Sequence, residues 1–261
     1  DKIADVQSVD DAKAGRTGVT YFVNEQGNEV ADYTYNYRAG MTTLRTTSIN
    51  FYGDTGNLRA LNASSEDKLF ASVTYNGDKN AASGANEKIV DVASIDSQIE
   101  RRRSVTYFAK DQGDEVADYS LNYVQSGTTA RSTSVNFYKN GSGNLKRASD
   151  SSVATINPLG MTVTYRSNSI LPSLGNLSDT NIDSTYLTDR LSKTFYTVQL
   201  GQGAEVADYS YNYIPGTNTV RTTSVNFYEV GGSSKRASKV VDLENSRLAA
   251  TVTFKGVLPT T

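Results

Sequence analysis

The chain has 261 residues, a formal charge of −2, seventeen Tyr, and no Cys, His or Trp. Lacking Cys and His, it has no thiol nucleophile, Cys/His zinc site or histidine base, and a charge this small makes no electrostatic case for nucleic acid. No apolar run approaches the roughly 20 residues of a membrane-spanning helix.

Residues 2–9 (Lys2, Ile3, Ala4, Asp5, Val6, then Val9) alternate apolar with polar side chains, as a half-buried strand does. The same pattern returns 86 residues on at Lys88–Ile95, which reads as the closing strand of a module. Val19–Val23 is the next strand, and Asn24–Asn28 with Gly27 is a turn, because Asn and Gly tolerate positive φ. Glu29–Tyr37 and Thr43–Tyr52 then form a hairpin. Gly53-Asp54-Thr55-Gly56 turns the chain, and Leu58–Ala63 and Leu69–Tyr75 read as further strands.

This unit is written three times. Asp32, Asp118 and Asp208 mark its register, 86 and 90 residues apart. From the last Tyr of the first hairpin strand to the Arg of the second is eight positions in every copy: Tyr37 to Arg45, Tyr123 to Arg131, Tyr213 to Arg221. In the second copy Asn181–Leu187 takes the closing position, after a long polar segment. The third copy has no counterpart of the closing strand after Phe254.

Side chains alternate across a strand, so Tyr33, Tyr35 and Tyr37 share one face, against Arg45, Thr47, Ile49 and Phe51. The expected core is Tyr35, Ile49 and Phe51, with Leu121, Val135, Phe137 and Tyr211, Val225, Phe227 in the other copies. Arg45 is expected over Tyr35, and the Thr, Ser and Asn face outside.

Glu29/Asp32, Glu115/Asp118 and Glu205/Asp208 are repeated carboxylate pairs. Paired carboxylates run glycoside hydrolysis, but these lie three apart on a strand, on opposite faces, and an enzyme rarely needs one pair three times. A structural role, pairing with Arg or closing turns, fits better, and the chain is read as no enzyme, with no catalytic residue, metal site or cofactor. The acidic turn Asp111–Glu115 has the oxygens for Ca²⁺, but its third counterpart has lost nearly all its carboxylates. Asn62, Asn140 and Asn176 fit the glycosylation acceptor pattern. Arg101-Arg102-Arg103 reads as a solvated basic linker or a partner for the acidic closing strand, rather than a nucleic-acid site.

Phe51-Tyr52-Gly53-Asp54-Thr55-Gly56-Asn57-Leu58, echoed by Asn140–Leu145, resembles the Tyr-x-x-x-Gly-Asn-Leu turn of the tyrosine–aspartate (YD) repeats of bacterial Rhs-type surface and toxin proteins. The resemblance implies stacked hairpins in a large extracellular assembly.

The expectation is an all-β chain of three tandem antiparallel modules, each a small sandwich or open barrel, at 1–97, 98–188 and 189–261. Such an array suits a structural subunit of a microbial extracellular filament or surface coat, with itself as partner. The alternative is an adhesin or carbohydrate-binding array with glycans as partner. The third module lacks a closing strand, and Lys2–Val9 is spare. So Lys2–Val9 of one copy is expected beside Ala249, Thr251, Val252, Thr253 and Phe254 of the next, a head-to-tail strand donation.

Overall fold

The computed structural model describes residues 16–38, 41–77, 101–124, 128–242 and 246–258. Regular structure in these residues is nearly all strand. Lys2–Val9 and Lys88–Ile95 lie outside the described residues. The chain divides into two compact units, Asp1–Glu115 with Asn122–Thr129, and Val116–Leu121 with Ala130–Thr261.

The first unit carries β1 (Gly18–Val23), β2 (Val30–Tyr37), β3 (Leu44–Tyr52), β4 (Leu58–Arg59), β5 (Leu69–Asn76) and β6 (Arg102–Ala109). Its sheet order is β1-β2-β3-β5-β6, with β4 on β3. The division of the chain passes through β7 (Val116–Tyr123). The second unit continues with β8 (Ala130–Lys139), β9 (Leu145–Arg147), β10 (Leu159–Arg166), β11 (Arg190–Thr197), β12 (Val206–Tyr213), β13 (Val220–Val230), β14 (Ser233–Arg236) and β15 (Leu248–Lys255). Here the order is β7-β8-β10-β11-β12-β13-β14, with β9 on β8 and β15 on β13.

The all-β expectation holds, but a repeat does not close into a body of its own. Its last long strand pairs antiparallel with the first strand of the next repeat, β5 with β6 and β10 with β11. A separate sandwich or barrel at each of the three repeats is therefore corrected to antiparallel sheet shared by successive repeats. The compact units accordingly do not follow the repeat boundaries. Two shorter expectations are corrected as well. Leu58–Ala63 is a two-residue strand followed by the 3₁₀ turn Ala60–Asn62. Asn181–Leu187 is turn, because the Asn181 carbonyl takes the N–H groups of Ser184 and Thr185 that a ladder would need.

The hairpin register is the expected one. Tyr33 lies opposite Ile49, Thr34 opposite Ser48, and Tyr35 opposite Thr47. Ile49, Phe51, Leu121, Val135, Phe137 and Val225 are buried, and Tyr35, Tyr211 and Phe227 are half-buried. Bulges recur in these ladders, at Asn36/Tyr37, Phe51/Tyr52 and Thr74/Tyr75 in the first repeat. A bulge puts two residues against one and bends its strand. At the second of these the extra residue is Phe70 on β5. The adjacent residues Phe51 and Tyr52 point to opposite faces, as strand neighbours do, and both are buried, in different clusters.

The bulges also correct the Arg45 expectation. Asn36 pairs with Thr46 and Tyr37 with Leu44, so Arg45 is passed over and stays exposed. In the second unit the long segment after β10 is no mere polar loop. Its Ile170, Leu174, Leu177 and Ile182 pack on Val135, Phe137, Met161 and Val163 and cover the apolar face there.

Candidate assembly edge

The repeated carboxylates have structural partners. Asp32 takes a two-pronged ion pair from Arg59 at 2.8 Å on each prong. Arg147 holds Asp118 in the same way, and Arg236 holds Asp208 at 2.9 and 2.6 Å. Burial raises the carboxyl pKa of Asp118, against the opposing charge and hydrogen bonds of Arg147. Just beyond each Asp pair, a Tyr and an Asn converge on one backbone carbonyl. Tyr52 and Asn50 donate to Ala31 O at 2.5 and 3.2 Å. Tyr138 and Asn136 do so to Ala117 O, and Tyr228 and Asn226 to Ala207 O.

The glutamates act at the junctions between repeats. One oxygen of each accepts from the glycine two residues back: Gly27 to Glu29, Gly113 to Glu115 and Gly203 to Glu205, all at 2.9 Å. The other oxygen of Glu115 accepts from Leu69 N on β5 at 2.8 Å, and that of Glu205 from Leu159 N on β10 at 2.7 Å. The turn weighed for Ca²⁺ thus spends Glu115 on two backbone N–H groups.

An arginine stands beside each junction. Arg102 lies over the Tyr123 ring at 3.7 Å, and Arg190 over Tyr213 at 3.8 Å. Both are fully buried, so Arg102 is no solvated linker residue, as the Arg101–Arg103 cluster suggested. Stacking on a ring is a way to bury a guanidinium, whose faces are weakly hydrated. Arg190 also pairs with Asp183 at 2.6 Å, as does Lys193 at 2.8 Å. Burial raises the Asp183 pKa, but Lys193 and Arg190 together outweigh it and hold the carboxyl below its usual range. Arg16 over Tyr37, at 4.1 Å, is the first copy of this contact. The signal was present in the sequence as Arg16, Arg102 and Arg190, each three residues before Val19, Val105 and Lys193.

Both junctions use one register. Val73 faces Val105 and Ala71 faces Tyr107; Val163 faces Lys193 and Met161 faces Phe195. After a bulge, Tyr75 faces Arg102 and Tyr165 faces Arg190.

Comparison with known proteins finds no relative. No family model, curated protein or solved structure matches the chain.

The acceptor strand expected from the sequence, Ala249–Phe254, is part of β15, the third counterpart of β5 and β10. It pairs with β13 as they pair with β3 and β8: Val252 faces Val225 where Val73 faces Ile49 and Val163 faces Val135. Among the described residues no strand lies on its other side. Val252 is 40% and Phe254 38% exposed, whereas Val73, Tyr75, Val163 and Tyr165 are at 0%. The glycosylation candidates differ among themselves. Asn62 and Asn176 are exposed, while Asn140 is buried, with its amide donating to Ser152 and its oxygen accepting from Ser142 and Asn144. No helix among the described residues is long and apolar enough to cross a membrane.

Proposed function

We propose that this chain is a structural subunit of a microbial extracellular filament or surface coat, assembling head-to-tail through its sheet edges. One observation carries the reading. The chain joins successive repeats by strand pairing, and the third copy of the joining strand, β15, has its outer edge unpaired among the described residues. An unpaired edge with exposed apolar side chains is a template for another strand. A head-to-tail contact between identical chains leaves a free edge after each addition, so it propagates as a filament wherever its rotation does not close a ring. The Gly-Asn-Leu turns that resemble YD repeats agree with an extracellular setting. A carbohydrate-binding array has less support, because the hairpin tyrosines are engaged with one another. Tyr21 stacks on Tyr33 at 4.6 Å, and Tyr35 meets both edge-on.

The test is light scattering and negative-stain microscopy of the purified chain over a range of concentrations. Concentration-dependent growth into fibres or sheets is expected. A chain that stays monomeric at every concentration, and binds glycans on an array, would replace this reading with the adhesin one.

A further inference from the structure

Resting on that reading, we infer which strand fills the edge and in what register: β15 takes β1 of a second copy of this chain. The template is inside the molecule. The partners of β5 and β10 are β6 and β11, the first strands of the following repeats. β1 is their counterpart, since Tyr21 faces Tyr33 as Phe195 faces Tyr209, and Val19 faces Tyr35 as Lys193 faces Tyr211. The complement of β15 on this template is therefore β1; the Lys2–Val9 segment that the sequence pattern suggested lies outside the described residues.

Transferring the register of the two internal junctions sets Ala250 opposite Tyr21, Thr251 opposite Thr20 and Val252 opposite Val19 of the next copy. After the bulge, Phe254 faces Arg16, as Tyr75 faces Arg102 and Tyr165 faces Arg190. Both surfaces have the corresponding exposure. Every residue of β15 is exposed, and β1 alternates between exposed and half-buried. Arg16 is half-buried where Arg102 and Arg190 are fully covered.

Glu29 supplies the second, independent observation. Glu115 and Glu205 each bind a backbone N–H of the preceding repeat's joining strand, and both are half-buried. Glu29 makes the same bond to Gly27, but it is exposed, and its other oxygen has no donor among the described residues. The N–H that corresponds to those of Leu69 and Leu159 is that of Leu248, since Leu248 faces Tyr228 as they face Tyr52 and Tyr138. The Leu248 N–H of one copy thus donates to Glu29 of the next.

The absence of cysteine makes the test clean. Two single variants of the full chain, Val19→Cys and Val252→Cys, are mixed and treated with a short bifunctional thiol reagent. A covalent dimer is expected from the mixture and from neither variant alone. The double variant Val73→Cys/Val105→Cys, cross-linked within one chain, shows that the reagent reaches this register. Thr253→Cys mixed with Val19→Cys, on opposite faces, should give no dimer. Glu29→Ala should raise the concentration for half-maximal cross-linking about tenfold or more, the effect of losing a hydrogen bond to a charged group.

If the control closes and the mixture yields no dimer, β15–β1 pairing is wrong. Fibres still seen by microscopy would then leave the assembly reading standing on another contact, and a lasting monomer would remove both. An unchanged Glu29→Ala would remove the carboxylate from the junction.

Discussion

Asp32, Asp118 and Asp208 meet Arg59, Arg147 and Arg236 in one geometry, but water reaches the three pairs to different extents. The Arg147 and Asp118 side chains are 7% and 9% exposed, those of Arg236 and Asp208 45% and 16%. Removing one partner of a buried pair strands a charge, at about 3–5 kcal/mol, whereas a pair open to water is worth about 1 kcal/mol or less. Arg147→Ala should therefore destabilise the chain several-fold more than Arg236→Ala, with Arg59→Ala between them, as read by urea unfolding. The sequence showed the aspartates but hid these partners, because the spacing from Asp to Arg is 27, 29 and 28 residues in the three copies. A repeat search sees fixed spacings, and turns of unequal length break them. Tyrosine ionisation offers a second test. Burial raises Tyr52 and Tyr213 to about 12, the latter against the charge of Arg190, and burial with the neighbouring Tyr35 and Tyr21 raises Tyr33 to about 12. Between pH 10 and 12 the native chain thus keeps protons that the unfolded chain has lost. The stability involved is intact below pH 10 and falls as the pH rises through that window. Absorbance at the tyrosinate band should show a late-ionising fraction, lost together with the strand signal in circular dichroism.

Within the strands, β3 shows what a period-two pattern reveals and what it conceals. Ile49 and Phe51 are where alternation puts them, fully buried, and Phe51→Ala should cost about 3–5 kcal/mol in a denaturant titration. Thr47 sits on the same face and is equally buried, though a polar residue there contradicts the pattern. Its hydroxyl donates to Gly77 O at 2.8 Å, and Thr133 and Thr223 do likewise to Ser167 O and Gly256 O at 2.6 Å. Thr47→Val keeps the shape but leaves the Gly77 carbonyl without this donor, a loss of about 1–3 kcal/mol. A measured gain in stability would show the bond to be dispensable. Hairpins, faces and register were legible because alternation and turn residues are local signals. The bulges were not, since an extra residue in one strand shows only against its partner. Arg45 was misplaced for that reason, being itself the extra residue opposite the Asn36/Tyr37 step.

At the scale of the molecule, the sequence showed the all-β class but misjudged how successive copies of its pattern meet. It assigned a separate closing strand to each of the first two repeats, whereas β5 and β10 pair with the next repeat's own first strand. β15, the third counterpart of β5 and β10, has no strand on its outer side among the described residues, and the proposed contact places β1 of another copy there. If copies dock there, association stabilises only the folded chain, so the thermal midpoint should rise with protein concentration. Val252→Lys should abolish that rise while leaving the dilute chain folded, because a charge on an edge strand blocks pairing. Lysine has a precedent at this face in Lys193, but there Asp183 neutralises it.

The junction glutamates address main-chain N–H groups and no side chain of Leu69 or Leu159. Recognition of this kind reads position and is blind to residue identity. If copies dock as proposed, surface loops and outward-facing residues are free to diverge between them without spoiling the fit. An assembly built through that contact would then accept a mixture of such variants, displaying several exteriors on a common spine.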